Sequence, residues 1–356
     1  MKKLLFYVIM LAAPLFCYAQ SAEEETVAKA KKLHDDAIEL IHTKRFNEGM
    51  ERFKEIENLP GLRADVKAEN YMYMYALCLD SLDEKESALN YALKAESLYP
   101  EALKAYEIQV VKGDSVALSC SMAPTAAQVA LLALERYDEA ISALERQIVI
   151  VDGMKGRNID GMEDETLLFF RVQAYYGIAG VYDKKKDYAN CFEACQKALD
   201  EGYKMYRGVE DENMKSVAYA LIGTMYSMSI KACLRQDDIK QAMFFAKKTR
   251  AHIADAPEPI RSSESMALYA PMALLEVVDA YKANGELMEA LNIVDQAITW
   301  PFSNFHAFLH DKRGDILLAL GDEAEARRCW ERTKSIVPDF YHGVDEESYP
   351  LRKFGE

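Results

Sequence analysis

The chain has 356 residues, 50% of them apolar, and sets 58 acidic against 43 basic side chains for a formal net charge of −15. That much apolar material can build a sizeable core. The acidic balance excludes a general grip on phosphate backbones, which would need a local basic stripe, so no nucleic-acid partner is expected.

The chain opens MKKLLFYVIMLAAPLFCYAQ: two lysines, an apolar run from Leu4 to Phe16, and a small-residue exit ending at Ala19. This three-part layout predicts a signal peptide over residues 1–19, cut after Ala19. The run is shorter than the roughly 20 apolar residues a membrane-spanning helix needs, so no transmembrane span is expected in the mature chain. Lipidation of Cys17 is the rival reading, but it asks for a small residue just before the cysteine, where Phe16 stands. The expectation is export, to the periplasm or the cell exterior, of a mature chain with 41 basic and 58 acidic residues. Residues 20–29 read as a short lead.

From about residue 30 to 338 one spacing recurs. Tyr175, Ile178, Ala179, Tyr182, Tyr188, Cys191, Cys195 and Ala198 share their intervals with Leu274, Val277, Val278, Tyr281, Leu287, Ala290, Val294 and Ala297. His310, Arg313, Gly314, Leu317, Glu323, Ala326, Trp330 and Thr333 repeat the same steps, with Pro338 behind them. Steps of three and four hold residues on one helical face, and small residues within that face let two helices approach closely. Further copies run through Leu33, Ala37, Phe46, Gly49 and Phe53, and through Met72, Tyr75, Ala76, Ala88 and Ala92. Weaker ones carry Leu131, Tyr137, Ala140 and Leu144, and Tyr226, Ala242 and Ala246. The pattern resembles the tetratricopeptide repeat (TPR), a 34-residue helix–turn–helix unit. The resemblance implies an all-α fold, an α-solenoid of about seven TPR-like antiparallel helix pairs wound into a right-handed superhelix.

The rhythm lapses twice. Around Lys112 to Ser115 apolar and polar residues alternate, so an irregular insert at about 101–120 holds either a β-hairpin or an extra helix. The glycine-rich VDGMKGRNIDGMEDE predicts a loop at about 152–166, and residues 339–356 read as a C-terminal tail.

Cys191 and Cys195 tempt a thiol-site reading. Their places in the repeat, where other units carry Ala290, Gly49, Phe53 and Trp330, put both in a helix interface instead. Residues four apart on a helix hold their Cβ atoms about 5–6 Å apart, beyond the roughly 3.5–4.5 Å of a disulfide. The other mature cysteines are Cys78, Cys120, Cys233 and Cys329, and a bridge to Cys120 stays open. His306 and His310 have zinc-helix spacing, but Ala307 stands where a metalloprotease places its glutamate. The sequence has neither a phosphate loop nor a nucleophile elbow. The reading is a chain without catalytic residues, metal or cofactor.

In the resembling family the first helix of each unit lines a concave wall that binds peptides or proteins. The wall places here include His34, Tyr73, Tyr176, Asp183, Lys184, Lys231, Asp279, Lys282, Asp311 and Asp315. The subclass that holds a terminal carboxylate uses lysine and asparagine where the first unit offers His34 and Ile38, so that activity does not carry over. Tyr73 and Tyr176 could be anchors in the groove or side packing between helices. The functional expectation is a non-enzymatic exported scaffold for a protein or peptide partner, with a glycan-binding or nutrient-uptake accessory protein of the cell envelope as the alternative.

Overall fold

A computed structural model describes residues 22–111, 119–156, 164–299 and 306–338. Sixteen α-helices occur among the described residues, and no strand. The chain forms two compact units, Met1–Val181 and Tyr182–Glu356, where the sequence suggested one continuous repeat region.

In the first unit, α1 (Ala22–His42) turns back into α2 (Phe46–Glu57), and α3 (Ala64–Leu77) into α4 (Lys85–Ser97) through a π-helical stretch, Cys78–Leu82. Next come α5 (Tyr99–Val111), a 3₁₀ turn at Ser119–Met122, the pair α6 (Ala123–Ala133) and α7 (Tyr137–Met154), and most of α8 (Asp164–Lys185). The second unit holds the last turn of α8, then α9 (Tyr188–Gly208), α10 (Glu212–Arg235), α11 (Ile239–Ala254) and the short α12 (Glu258–Arg261). It ends with α13 (Glu264–Ala283), α14 (Leu287–Ile298), α15 (His306–Ala319) and α16 (Glu323–Ile336).

Seven of these connections are tight hairpins, and each turns on one residue with left-handed backbone: Lys44, Asp83, Glu135, Lys186, Asp237, Gly285 and Gly321. The following amide closes the turn, as when Glu286 N donates to Tyr281 O at 2.9 Å and Asp322 N to Leu317 O at 2.9 Å. Only two of the seven are glycine, although this conformation costs an L-residue about 1–2 kcal/mol. At three of the four hairpins of the second unit the next helix is capped as well. The Asp187, Asp238 and Asp322 carboxylates accept from Asn190 N, Gln241 N and Glu325 N, satisfying donors that a helix start leaves open.

The repeat's small places are the buried ones. Ala76, Ala88, Ala179, Cys191, Ala290 and Ala326 are all sealed in the interior. At Gly314 an added Cβ would lie 2.3 Å from Trp330 Nε1, and at Gly223 it would overlap the Tyr269 ring. At both glycines the missing side chain leaves room for an aromatic ring to approach the helix backbone closely. Helix α10 is the one described helix long and apolar enough to cross a membrane, and 56% of its apolar window is buried inside the fold, where it packs on α9, α11 and α13.

Two expectations change, and of the two readings of the insert the extra helix holds over its first half. The lead is helical from Ala22. The first half of the supposed insert is the helix α5, whose Ala102 and Leu103 join a core with Ala68, Val151, Met154 and Leu167, so burial on one face decides against a hairpin up to Val111. The loop at about 152–166 is shorter at both ends, because α7 runs to Met154 and α8 begins at Asp164. The leader at 1–19, the end of the insert at 112–118, the Cys120 side chain and the tail at 339–356 lie outside the described residues.

Candidate functional site

In the first unit the expected anchor Tyr73 is half-buried. Its ring meets the His34 ring edge-on at 4.4 Å between centroids and stacks on Phe53 at 5.9 Å. Burial lowers the His34 pKa and raises that of Tyr73, as an apolar setting does to each charged form. This is the side-packing arrangement: the aromatic surface joins α1, α2 and α3. Tyr176, on α8, is half-buried too. A depression of about 400 Å³ between α2 and α4, lined by Met50, Lys54, Cys78, Glu84 and Tyr91, lies on second helices and away from the first-helix face.

The second unit assembles most of the other wall residues. Lys231 Nζ on α10 donates to Asp183 Oδ2 at the end of α8, at 2.6 Å. Lys312 Nζ on α15 donates to both carboxylate oxygens of Asp279 on α13, at 2.6 Å. Lys282 on α13 faces Asp315 on α15 at 3.7 Å. The last two pairs join residues 33 apart in each case, so α13 and α15 run side by side in parallel register, and one turn's advance on one matches one turn on the other. Lys184 is exposed and Asp311 half-buried, its carbonyl accepting from Trp330 Nε1 at 3.3 Å.

Two residues of this face were not among the expected ones. Lys312 is the partner of Asp279; burial works against its charge, but Asp279 outweighs it and holds the ammonium above its ordinary value. Glu276, on α13, makes no hydrogen bond or ion pair among the described residues. Burial first, then the Asp279 and Asp183 carboxylates, push its carboxyl up to about 7, against the pull of Lys312 and Lys231. Both stand at the sixth place of their units, which the sequence did not count as wall. The available signal was an acid lodged inside the apolar run LLEVV.

The same face carries exposed apolar side chains. Leu268 is 53% and Met272 38% exposed on α13, and Phe308 is 49% exposed on α15, one turn before Lys312. Leu268, Met272, Leu275 and Asp279 follow steps of four, three and four, so they form one line along α13. Chemically the face offers apolar contact and ordered charge. Among the described residues no three His, Cys, Asp or Glu side chains converge as metal ligands.

Cys191, Cys195 and Cys233 are buried free thiols, as are Cys78 and Cys329. The neighbouring Cys191 and burial push Cys195 well up, and burial pushes Cys233 up to about 12, so neither is a ready thiolate.

Comparison with known proteins fits this geometry. The Tetratricopeptide repeat family model matches residues 172–201. A search of curated proteins finds no match. Among solved structures, a signal-transduction ATPase with a tetratricopeptide repeat sensor from Pyrococcus horikoshii superposes with a TM-score of 0.58 at 14% identity, over 88% of this chain and 42% of that one. This chain therefore spans less than half of that protein. BtubC from P. vanneervenii gives 0.51 at 12% identity, over 73% of this chain and 94% of that one. A tetratricopeptide repeat protein from Parabacteroides merdae gives 0.46 at 12% identity over 91% of this chain. The class is thus defined: an all-helical protein whose helices pack pairwise as TPR-like repeats.

Proposed function

We propose that this chain is a non-enzymatic scaffold, exported across a membrane, that holds a protein or peptide partner on the first-helix face of its second unit. The observation that carries the reading is the ordered line of charged and apolar side chains on α8, α10, α13 and α15, where packing alone would accept any solvated residue. The face mixes charge with apolar contact, as protein partners require, and the aromatic platforms that a glycan would need are not what Tyr73 supplies.

The test is affinity capture of the tagged protein from its own cells, beside Lys231→Glu and Asp279→Lys variants. A partner enriched by the wild type should be lost from both variants while their circular dichroism stays unchanged. A partner kept by both folded variants overturns the assignment of the face. Fractionation of the same cells, with N-terminal sequencing expected to begin at Gln20, tests export.

A further inference from the structure

The charges on this face do not balance. Three lysines, Lys231, Lys282 and Lys312, are each engaged by an aspartate, Asp183, Asp315 and Asp279 respectively. Glu276 remains over, with no ion pair among the described residues. It stands on the same helix as Leu268 and Met272, which end one turn before it. A carboxylate held in a partly desolvated place beside exposed apolar surface is a half-built contact: no cation pairs with it directly, and the two lysines that act on it, Lys312 and Lys231, are each engaged by an aspartate.

We propose that Glu276 receives a basic side chain, lysine or arginine, of a bound peptide whose neighbouring apolar residues rest on Leu268, Met272 and Phe308. The inference rests on the scaffold reading and adds the chemistry of the partner. The charge excess decides the sign. Beside Glu276 an acidic ligand would have to displace one of the three internal pairs to find a cation, the exposed Lys184 standing apart at the end of α8, whereas a basic ligand meets Glu276 directly. The spacing decides the order, since the apolar patch precedes Glu276 along α13 by one to two turns, about 6–12 Å, a reach of some two to four extended residues.

Protonation supplies a second signature. The charged groups around Glu276 are Asp279 on its own helix, Lys312 on α15, Lys231 on α10 and Asp183 on α8, and its carboxyl titrates near 7 in the free protein. A bound cation favours the carboxylate and draws that value down. Binding is then fully developed above about pH 7 and weakens as the pH falls, by about tenfold between pH 8 and pH 6.

The experiment is selection of a displayed library of random linear peptides on the intact protein at about pH 8. The expected winners pair apolar residues with one lysine or arginine. Replacing that cation with norleucine in a synthetic copy should cost wild type about tenfold in affinity and cost Glu276→Gln almost nothing. Met272→Ala should weaken all winners without changing the preference for a cation. Winners rich in acid, winners whose cation matters equally to Glu276→Gln, or no enrichment at all would overturn the proposal. The capture experiment above stays independent: a partner lost on Lys231→Glu but indifferent to Glu276→Gln keeps the scaffold reading and removes this one.

Discussion

Gly314→Ala is expected to destabilise the second unit, although alanine is the better helix former. The added methyl would lie 2.3 Å from Nε1 and 2.7 Å from Cδ1 of Trp330, a ring only 1% exposed whose N–H is committed to the Asp311 carbonyl at 3.3 Å. The indole is rigid and enclosed, so relief requires moving α16 or breaking that bond. Overpacking of this kind costs about 1–3 kcal/mol. The gain in helix propensity offsets about 1 kcal/mol of it. The net loss of up to about 2 kcal/mol corresponds to a midpoint lower by up to roughly 4–8 °C for a unit of this size. Gly180→Ala, in the first unit, isolates the propensity effect, because a Cβ there meets nothing within 4 Å, and it should stabilise that unit by about 0.5–1 kcal/mol. Both are read by circular dichroism melts. For Gly314→Ala tryptophan emission adds a probe, since Trp330, the ring at issue, is one of the two tryptophans of the chain. If Gly314→Ala melts at or above wild type, the close approach of ring and backbone is not what the small residue serves.

The left-handed turn residues give a second contrast: Glu135→Gly should raise urea stability by about 0.5–1 kcal/mol, and Gly285→Ala should lower it by about 1 kcal/mol. His252 stacks on Tyr219 at 3.7 Å and its Nε2 meets Tyr219 O at 2.9 Å, while burial holds its pKa near 4. The unfolded chain takes up that proton first, so the stabilisation is full above about pH 6.5 and is lost as the pH falls toward 4, by up to about 3 kcal/mol. His252→Gln should flatten this slope in urea titrations run across that range. Cys78, Cys191, Cys195, Cys233 and Cys329 should react slowly with a thiol reagent in the native protein and rapidly in urea; fast native labelling of any of them would contradict its burial.

The helix pairs were legible because the repeat spacing and the packing are one fact: Ala290 or Ala326 can occupy the interface only if its neighbours three and four residues away share the face. Even the faint unit around Tyr226, Ala242 and Ala246 is a full pair, α10 with α11, since those few buried places suffice to set it. The turns were less legible. Glycine marks Gly285 and Gly321, but at Lys44 or Lys186 tertiary packing imposes a conformation that the residue does not advertise. Tyr73 could not be assigned from its own helix, because what covers it is His34 on another. Glu276 escaped for a related reason. Whether a residue at that place is wall or core depends on how α10 and α15 flank it, and the spacing along α13 carries no record of that.

The bonds that tie one first helix to the next in the second unit reach only to the adjoining pair: Lys231 to Asp183 across 48 residues, Lys312 to Asp279 across 33. No strand threads the array among the described residues, and no described disulfide staples distant pairs together. Under tension such a unit has no shared latch. Pulled from its ends it should give way pair by pair, in several small force steps, each closing again when the load is eased. A partner laid across α10, α13 and α15 would clamp three of those pairs together, and the steps would merge into one larger rupture.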